Sequence, residues 1–122
     1  MENRSQKYHR ERLGQALLEE IETIVEGELS DPRIGLASIS NVIMAEDSRS
    51  AKVFVTVEGD EAEAATTLEG LTAAVGYIRR EVGERLQLRR PPEIYFQVDR
   101  FGQAAARVEQ LLHRSKARKR KV

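Results

Sequence analysis

Apolar side chains recur at intervals of three and four along the first 29 residues, which is the spacing of one face of an α-helix. The pattern predicts an amphipathic helix from Ser5 to about Leu29, with its apolar stripe against a core. Asp31-Pro32-Arg33 should end this helix, because proline lacks a backbone donor and disfavours helical geometry in the residue before it. The apolar positions are Leu13, Leu17, Ile21, Ile24, Val25 and Leu29.

Two β-strands are predicted next. Residues 35–44 are rich in Ile, Val and Ser, and residues 46–50 form a short polar stretch. Val53, Val55 and Val57 then alternate with Phe54 and Thr56, a pattern typical of a strand buried on one side. Two strands joined by a short polar turn predict an antiparallel hairpin.

A second, longer helix should begin at Asp60, since Glu63 three residues later completes a capping-box pattern. Gly70, Gly76 and Gly83 interrupt it, although each interior glycine costs about 1 kcal/mol relative to alanine. Such glycines indicate a bend or a close backbone approach. The apolar stripe consists of Ala65, Leu68, Leu71, Val75, Ile78, Val82 and Leu86.

After Pro91-Pro92, alternation at Ile94, Phe96 and Val98 predicts a third strand, and apolar residues from Ala104 to Leu112 predict a short terminal helix. The order is helix, strand, strand, interrupted helix, strand. Because a crossover that carries a helix usually returns its strand parallel to a neighbour, we expect an α+β fold: a three-stranded mixed sheet packed on helices at one face.

The charges are segregated although they sum to zero. Residues 19–31 and 58–69 carry acids without a base, whereas bases gather near the start, over residues 79–90, and in the tail RSKARKRKV, which holds six. This distribution predicts a molecule with one part that attracts polyanions and another that repels them. We expect one domain over residues 1–112 and a basic, disordered tail over residues 113–122.

The sequence offers little for catalysis or metal binding. It has no Cys, no Gly-x-Ser-x-Gly motif and no phosphate-binding glycine loop. Its histidines, His9 and His113, lie in polar terminal stretches, while Asp47, Glu93 and Asp99 occupy positions typical of solvated or capping carboxylates. We therefore expect no enzyme, metal or cofactor. Without an apolar run of ~20 residues or a Cys, the chain is also expected to be cytoplasmic.

The interrupted helix contains the most informative candidate site. With Ile78 facing the core, a rotation of 100° per residue places Gly76, Arg80 and Gly83 on the solvent side, together with Gln87. Arg79 falls on the flank, and Arg85 falls nearer the core. Uncovered glycine backbone beside an arginine is suited to a phosphate chain, but a bent packing helix with incidental glycines explains the same residues.

If the phosphate chain belongs to RNA, stacking of its bases on aromatic side chains is not expected to dominate binding. The chain has no Trp, and the exposed side of the predicted strands offers only Phe54 and Tyr95. Recognition by phosphate contacts and shape is therefore favoured.

The whole pattern resembles the ribosome-binding factor A family over residues 5–112. The likeness rests on several segments in the same order. They are KYHRERLGQALLEEI, Asp31-Pro32-Arg33-Ile34, Asp47 with Ser50-Ala51-Lys52-Val53-Phe54-Val55, Ala74-Val75-Gly76-Tyr77-Ile78-Arg79, Leu86-Gln87-Leu88-Arg89, and Pro92-Glu93-Ile94-Tyr95-Phe96 leading to Asp99. One departure is Phe101, where the family carries Ser two residues after the aspartate, so the contacts of that corner are not carried over.

The resemblance implies a type II KH-like fold in which an interrupted helix at Ala-x-Gly, here Ala74 and Gly76, replaces the usual Gly-x-x-Gly loop. It implies a monomer without a small-molecule substrate or membrane contact, which binds the free immature 30S subunit at the 5′-end helix region of 16S rRNA. The implied role is late subunit maturation and 5′-end processing, especially in the cold. The candidate RNA-binding residues are Ala74, Val75, Gly76, Arg79, Arg80, Arg85, Arg89, Arg90, Lys7, Arg10 and Arg33. A protein-interaction adaptor that does not bind RNA directly is the alternative.

Overall fold

The computed structural model describes residues 2–105, 108–109 and 111–112. A helical segment follows the last strand at residues 100–105, 108–109 and 111–112, which we term the C-terminal helical segment. The predicted element order is confirmed, and the expected tail at 113–122 lies outside the described residues. The elements are α1 (Arg4–Gly27), β1 (Ala37–Met44), β2 (Ser50–Val57), α2 (Glu61–Ala73), α3 (Val75–Arg85) and β3 (Glu93–Val98).

The three strands form one mixed sheet in the order β1-β2-β3. β1 pairs antiparallel with β2, with Val42 opposite Val53, and β3 pairs parallel with β2, with Phe96 also opposite Val53. A register shift between Ile39 and Asn41 interrupts the first ladder. The predicted mixed sheet, with a helical crossover between β2 and β3, is therefore confirmed.

The helices cover one face of this sheet. The side chains of Leu17, Ile21, Ile24, Leu71, Ile78 and Val82 are fully buried, as are Val53 and Val55 of the central strand. Alternate strand residues such as Lys52 and Tyr95 point to the opposite, exposed face. The fold thus has two layers, and the interrupted helix contributes one side of a continuous core.

Side-chain caps set the helix starts. Asn3 accepts from the backbone N–H of Gln6 at 2.8 Å, while the Gln6 side chain accepts from the N–H of Asn3 at 3.1 Å, which is a complete capping box. Asp60 accepts from the N–H of Glu63 at 2.8 Å, so the predicted start of α2 is confirmed. The Glu63 carboxylate lies against Gly59 instead, which leaves the second half of that predicted box unformed.

Asp99 begins the C-terminal helical segment earlier than the predicted start near Ala104. Its Oδ1 accepts from the backbone N–H of Gly102 at 2.9 Å, and its Oδ2 accepts from the Ser40 hydroxyl at 2.7 Å. One turn later, the Gln103 amide bonds both backbone polar groups of Val57 and accepts from its N–H at 2.9 Å. These contacts fasten the first turn of the segment to the end of the sheet.

None of the described helices is both long and apolar enough to cross a bilayer. Within the described residues, no group of three or more His, Cys, Asp or Glu side chains is arranged to hold a metal ion.

Candidate nucleic-acid interface

The interrupted helix breaks at Ala74. This residue ends α2 and also stands at the N-terminal cap of α3, with φ −88° and ψ 0°. Its N–H donates to the carbonyls of Gly70 and Leu71 at 3.2 and 3.1 Å, and its own carbonyl accepts from Ile78 at 3.0 Å. No side chain caps α3, so the first N–H groups of a new helix follow at Val75 and beyond.

The three glycines of the interrupted helix have different surroundings. A Cβ added at Gly70 would stand 2.7 Å from Cγ1 of Ile34, and one added at Gly83 would stand 2.7 Å from Cγ of Pro91. At Gly76, nothing lies within 4 Å of that position. Gly70 and Gly83 therefore allow close packing, whereas Gly76 opens to solvent.

The expectation that Gly83 lies on the solvent face was wrong. Gly83 is buried, because the loop after α3 folds back and seats Pro91 against it. The bent-packing alternative thus accounts for two of the three glycines and leaves Gly76 unexplained.

Arg80 lies one turn after Gly76 and is exposed. Its guanidinium carbon is 5.8 Å from the centre of the Tyr77 ring, at the distance of a cation–π contact. In contrast to the other α3 arginines, Arg80 makes no ion pair within 4.0 Å with any residue that the structure describes. Its charge is therefore available to an external anion.

Arg79 supports the loop that follows α3. Its Nε donates to the Pro92 carbonyl at 3.0 Å and its Nη2 to the Pro91 carbonyl at 2.8 Å, while Glu93 lies 3.4 Å away. The guanidinium is thus engaged within the fold. This loop also carries Arg89 and Arg90, which are exposed, so Arg79 positions them beside α3.

Arg85 joins α3 to α1. It pairs with Glu28, with Glu81 at 3.2 Å and with Glu20 at 3.8 Å, and Tyr77 adds a hydroxyl contact to Glu28 at 3.4 Å. The hydrogen bonds from Arg85 lower the pKa of Glu28, and the same pairing raises the pKa of Arg85. These contacts link α3 to α1 and occupy the guanidinium.

Three further candidates lie on other elements and have local partners. Arg33 forms two-pronged hydrogen bonds to Asp31 through Nε and Nη2, with a shortest distance of 2.6 Å, and this lowers the pKa of Asp31 to about 2. Arg10 pairs with Glu2, and Lys7 lies 4.0 Å from Glu11. The RNA-binding role of every residue in the candidate set stays a prediction.

Gly76 and Arg80 lie one turn apart on the exposed side of α3. Arg89 and Arg90 lie in the loop that Arg79 holds through the carbonyls of Pro91 and Pro92. Sequence reasoning missed Pro91 and Pro92 as the anchor for Arg79, since this contact depends on how the chain folds back. It also missed Tyr77 beside Arg80, although aromatic and arginine side chains three residues apart on a helix are a recognisable signal.

The carboxylates weighed for catalysis have structural partners. Asp47 accepts from the N–H of Arg49 at 3.0 Å in the hairpin turn, and Asp99 caps the C-terminal helical segment. The N–H of Gly102 and the hydroxyl of Ser40 lower the pKa of Asp99. Asp47 thus stabilises a turn and Asp99 caps a helix, as expected of solvated or capping carboxylates, while the third, Glu93, lies 3.4 Å from Arg79.

Comparison with known proteins gives a consistent result. The family model described as ribosome-binding factor A matches residues 9–112. The chain is 55% identical over 120 residues to ribosome-binding factor A of Koribacter versatilis, covering 98% of each protein. It is 47% identical over 105 residues to that of Halothermothrix orenii, covering 86% of each.

Solved structures agree. The crystal structure of ribosome-binding factor A from Thermus thermophilus is similar with a TM-score of 0.59 and 25% identity, covering 76% of this chain and 93% of that one. A model of the Thermus thermophilus factor fitted into an electron-microscopy map of a 30S complex has a TM-score of 0.53 and 28% identity, covering 73% and 89%. The chain belongs to the ribosome-binding factor A family.

Proposed function

We propose that the protein is a non-enzymatic assembly factor that binds the free 30S subunit in the cytoplasm as a monomer. It contacts 16S rRNA near the 5′-end helix and promotes late maturation and 5′-end processing, a role that matters most in the cold. The family supports subunit binding, and one relative has been fitted into a map of a 30S complex.

The observation that carries the rRNA contact is the opening at Gly76 one turn before Arg80. Bare backbone lets a phosphate approach closely, and an exposed guanidinium supplies charge and hydrogen-bond donors. The first N–H groups of α3 lie at the same place and favour an anion.

The remaining basic candidates then divide into two roles. Arg80, Arg89 and Arg90 contact phosphates directly, whereas Arg79 and Arg85 hold the surface in shape through their internal partners. Lys7, Arg10 and Arg33 lie on other parts of the fold and contribute less to phosphate binding, because each already has a nearby carboxylate.

Sedimentation with purified 30S subunits tests this proposal. Arg80→Glu should reduce the fraction that travels with the subunit and leave the thermal midpoint nearly unchanged, because an exposed substitution usually costs within about 0.5 kcal/mol. Arg100→Glu is the matched control, since Arg100 is also exposed but lies in the C-terminal helical segment. Equal binding of the two variants to 30S subunits would contradict the placement of the rRNA-binding site on α3.

Salt titration separates rRNA binding from a protein adaptor. The slope of log affinity against log salt should fall by roughly 0.7–0.9 in Arg80→Gln, because one phosphate contact is lost. A protein that binds no rRNA at low salt yet still holds the subunit would favour the adaptor.

A further inference from the structure

The N-terminal turns of α1 carry an exposed aromatic side chain within a cluster of bases. Tyr8 is 55% exposed and precedes the buried Leu17 by nine residues, which places it on the opposite side of the helix. Arg4 and Arg12 lie one turn before and one turn after it on the same face. This face belongs to none of the surfaces described above.

The Tyr8 ring is held in place. Nη1 of Arg12 donates to its hydroxyl at 3.0 Å, and the Arg12 guanidinium carbon lies 5.7 Å from the ring centre. The His9 ring meets it edge-on, with 6.0 Å between the centroids and 64° between the planes. A ring that is oriented by its neighbours and still more than half exposed loses little freedom when a flat partner stacks on it.

The surrounding charge selects the kind of partner. Residues 2–12 hold four bases against two acids, Glu2 and Glu11. Arg10 pairs with Glu2 and Lys7 lies near Glu11, whereas Arg4 and Arg12 share the face of Tyr8. Planar groups joined by phosphates meet both requirements, since an aromatic ring stacks a base of any sequence and arginines neutralise the backbone.

We propose that Tyr8 is a stacking site for an unpaired nucleobase of RNA, with Arg4 and Arg12 holding the flanking phosphates. The proposal rests on the rRNA binding proposed above and adds a second contact point. Glu20, which Arg85 contacts at 3.8 Å, lies twelve residues further along α1. At 1.5 Å per residue, that places Tyr8 about 18 Å along α1 from the contact between Glu20 and Arg85. Because the ring can stack only on an unpaired base, Tyr8 should bind single-stranded RNA and not a duplex.

A tryptophan reporter tests the stacking directly, because the chain has no Trp of its own. The full chain with Tyr8→Trp should lose fluorescence when a short oligoadenylate binds and keep it when a blunt RNA duplex binds. Tyr95→Trp is the matched control. Tyr95 is also 55% exposed but lies on the open sheet face beside Glu93 and Lys52, and its signal should respond to neither RNA.

Affinity measurements give a second readout. Tyr8→Ala should weaken oligoadenylate binding roughly fivefold or more, whereas Tyr8→Phe, which keeps the ring, should bind nearly as well as the parent chain. Tyr8 is exposed, so both variants should retain the parent circular dichroism spectrum.

Three results would overturn the proposal. Oligoadenylate that binds, as measured by anisotropy, without quenching Tyr8→Trp rejects stacking and leaves the rRNA function standing. A Tyr8→Ala chain that binds RNA normally but 30S subunits poorly assigns Tyr8 to a ribosomal protein instead. If oligoadenylate does not bind the parent chain at low salt, stacking fails, while sedimentation with 30S subunits decides the rRNA contact separately.

Discussion

Gly83 lies so close to Pro91 that a Cβ at residue 83 would stand 2.7 Å from Cγ of the proline ring. The ring is rigid and Arg79 holds its carbonyl, so the loop has little room to retreat. This approach brings the segment of Arg89 and Arg90 against α3.

Gly83→Ala should therefore destabilise the protein by about 1–3 kcal/mol, the usual cost of overpacking a filled site. Urea denaturation of the full chain measures the loss. A Gly83→Ala chain as stable as the parent would show that the loop yields easily.

Gly76→Ala should have the opposite effect on stability. Nothing lies within 4 Å of the added methyl group, so the higher helix propensity of alanine should stabilise α3 by about 0.5–1 kcal/mol. Affinity for 30S subunits should fall nonetheless, because the methyl group covers the backbone at which we propose that a phosphate binds. Unchanged affinity in this stabilised variant would indicate that Gly76 is incidental.

Gln87 lies just beyond the C-terminal cap of α3, Leu86, and adopts the left-handed region with φ 54°. The N–H of Leu88 donates to the Gly83 carbonyl at 2.8 Å and the N–H of Gln87 to the Glu84 carbonyl at 3.3 Å, which is the Schellman arrangement. Gln87→Gly should stabilise the protein by about 0.5–1 kcal/mol, since glycine adopts this conformation without strain. Gln87→Ala removes the same side chain but keeps a Cβ, so its thermal midpoint should not rise.

Arg79→Lys should separate a positioning role from a direct contact. Lysine keeps the charge but cannot reach both proline carbonyls with a planar fork, so stability should fall by about 1–2 kcal/mol. Amide hydrogen exchange in residues 88–93 should also quicken. Arg80→Lys serves as the control, and there neither quantity should change.

Stability should decrease in acid through the Asp31–Arg33 pair. Arg33 lowers the pKa of Asp31 from 3.8 to about 2, so in that window the unfolded chain binds more protons than the folded protein. The pair's contribution is complete above about pH 4 and is lost as the pH falls through 2. Urea midpoints between pH 5 and pH 2 should decline less steeply in Asp31→Asn, and parallel curves would contradict the assignment.

Removing residues 114–122 should weaken binding to all RNAs by a similar factor. The segment holds six bases, which add counterion release without reading a sequence. Filter binding to several unrelated RNAs provides the measurement. A change in the ranking of those RNAs would assign the tail a selective role.

Local patterns predicted most of the fold, because the period that marks each helix or strand is visible within a short stretch of sequence. The stripe from Leu13 to Leu29 and the alternation at Val53, Val55 and Val57 have the periods of a helix and of a half-buried strand. The bounds shifted where caps decide them: Asn3 with Gln6 starts α1, and Asp99 starts the C-terminal helical segment before Ala104.

The candidate site was less predictable, because residues far away in the sequence decide which of its arginines are engaged in ion pairs and which are exposed. Rotation about the helix axis placed Arg80 correctly in solvent but could not show that Arg85 meets Glu28, 57 residues away in the chain. The predicted exposure of Gly83 was wrong for the same reason, because the residue that covers it, Pro91, lies in the loop after the helix.

The Gln103 amide bears on self-association. It occupies the N–H and carbonyl of Val57, beyond the last residue that β3 pairs with β2, Val55. Those two peptide groups would otherwise be a short open edge on the central strand, able to recruit a strand from another molecule. The Gln103 side chain thus blocks the pairing of a foreign strand with this part of β2. A chain shortened to residue 99 should therefore aggregate more readily than one that ends after residue 103.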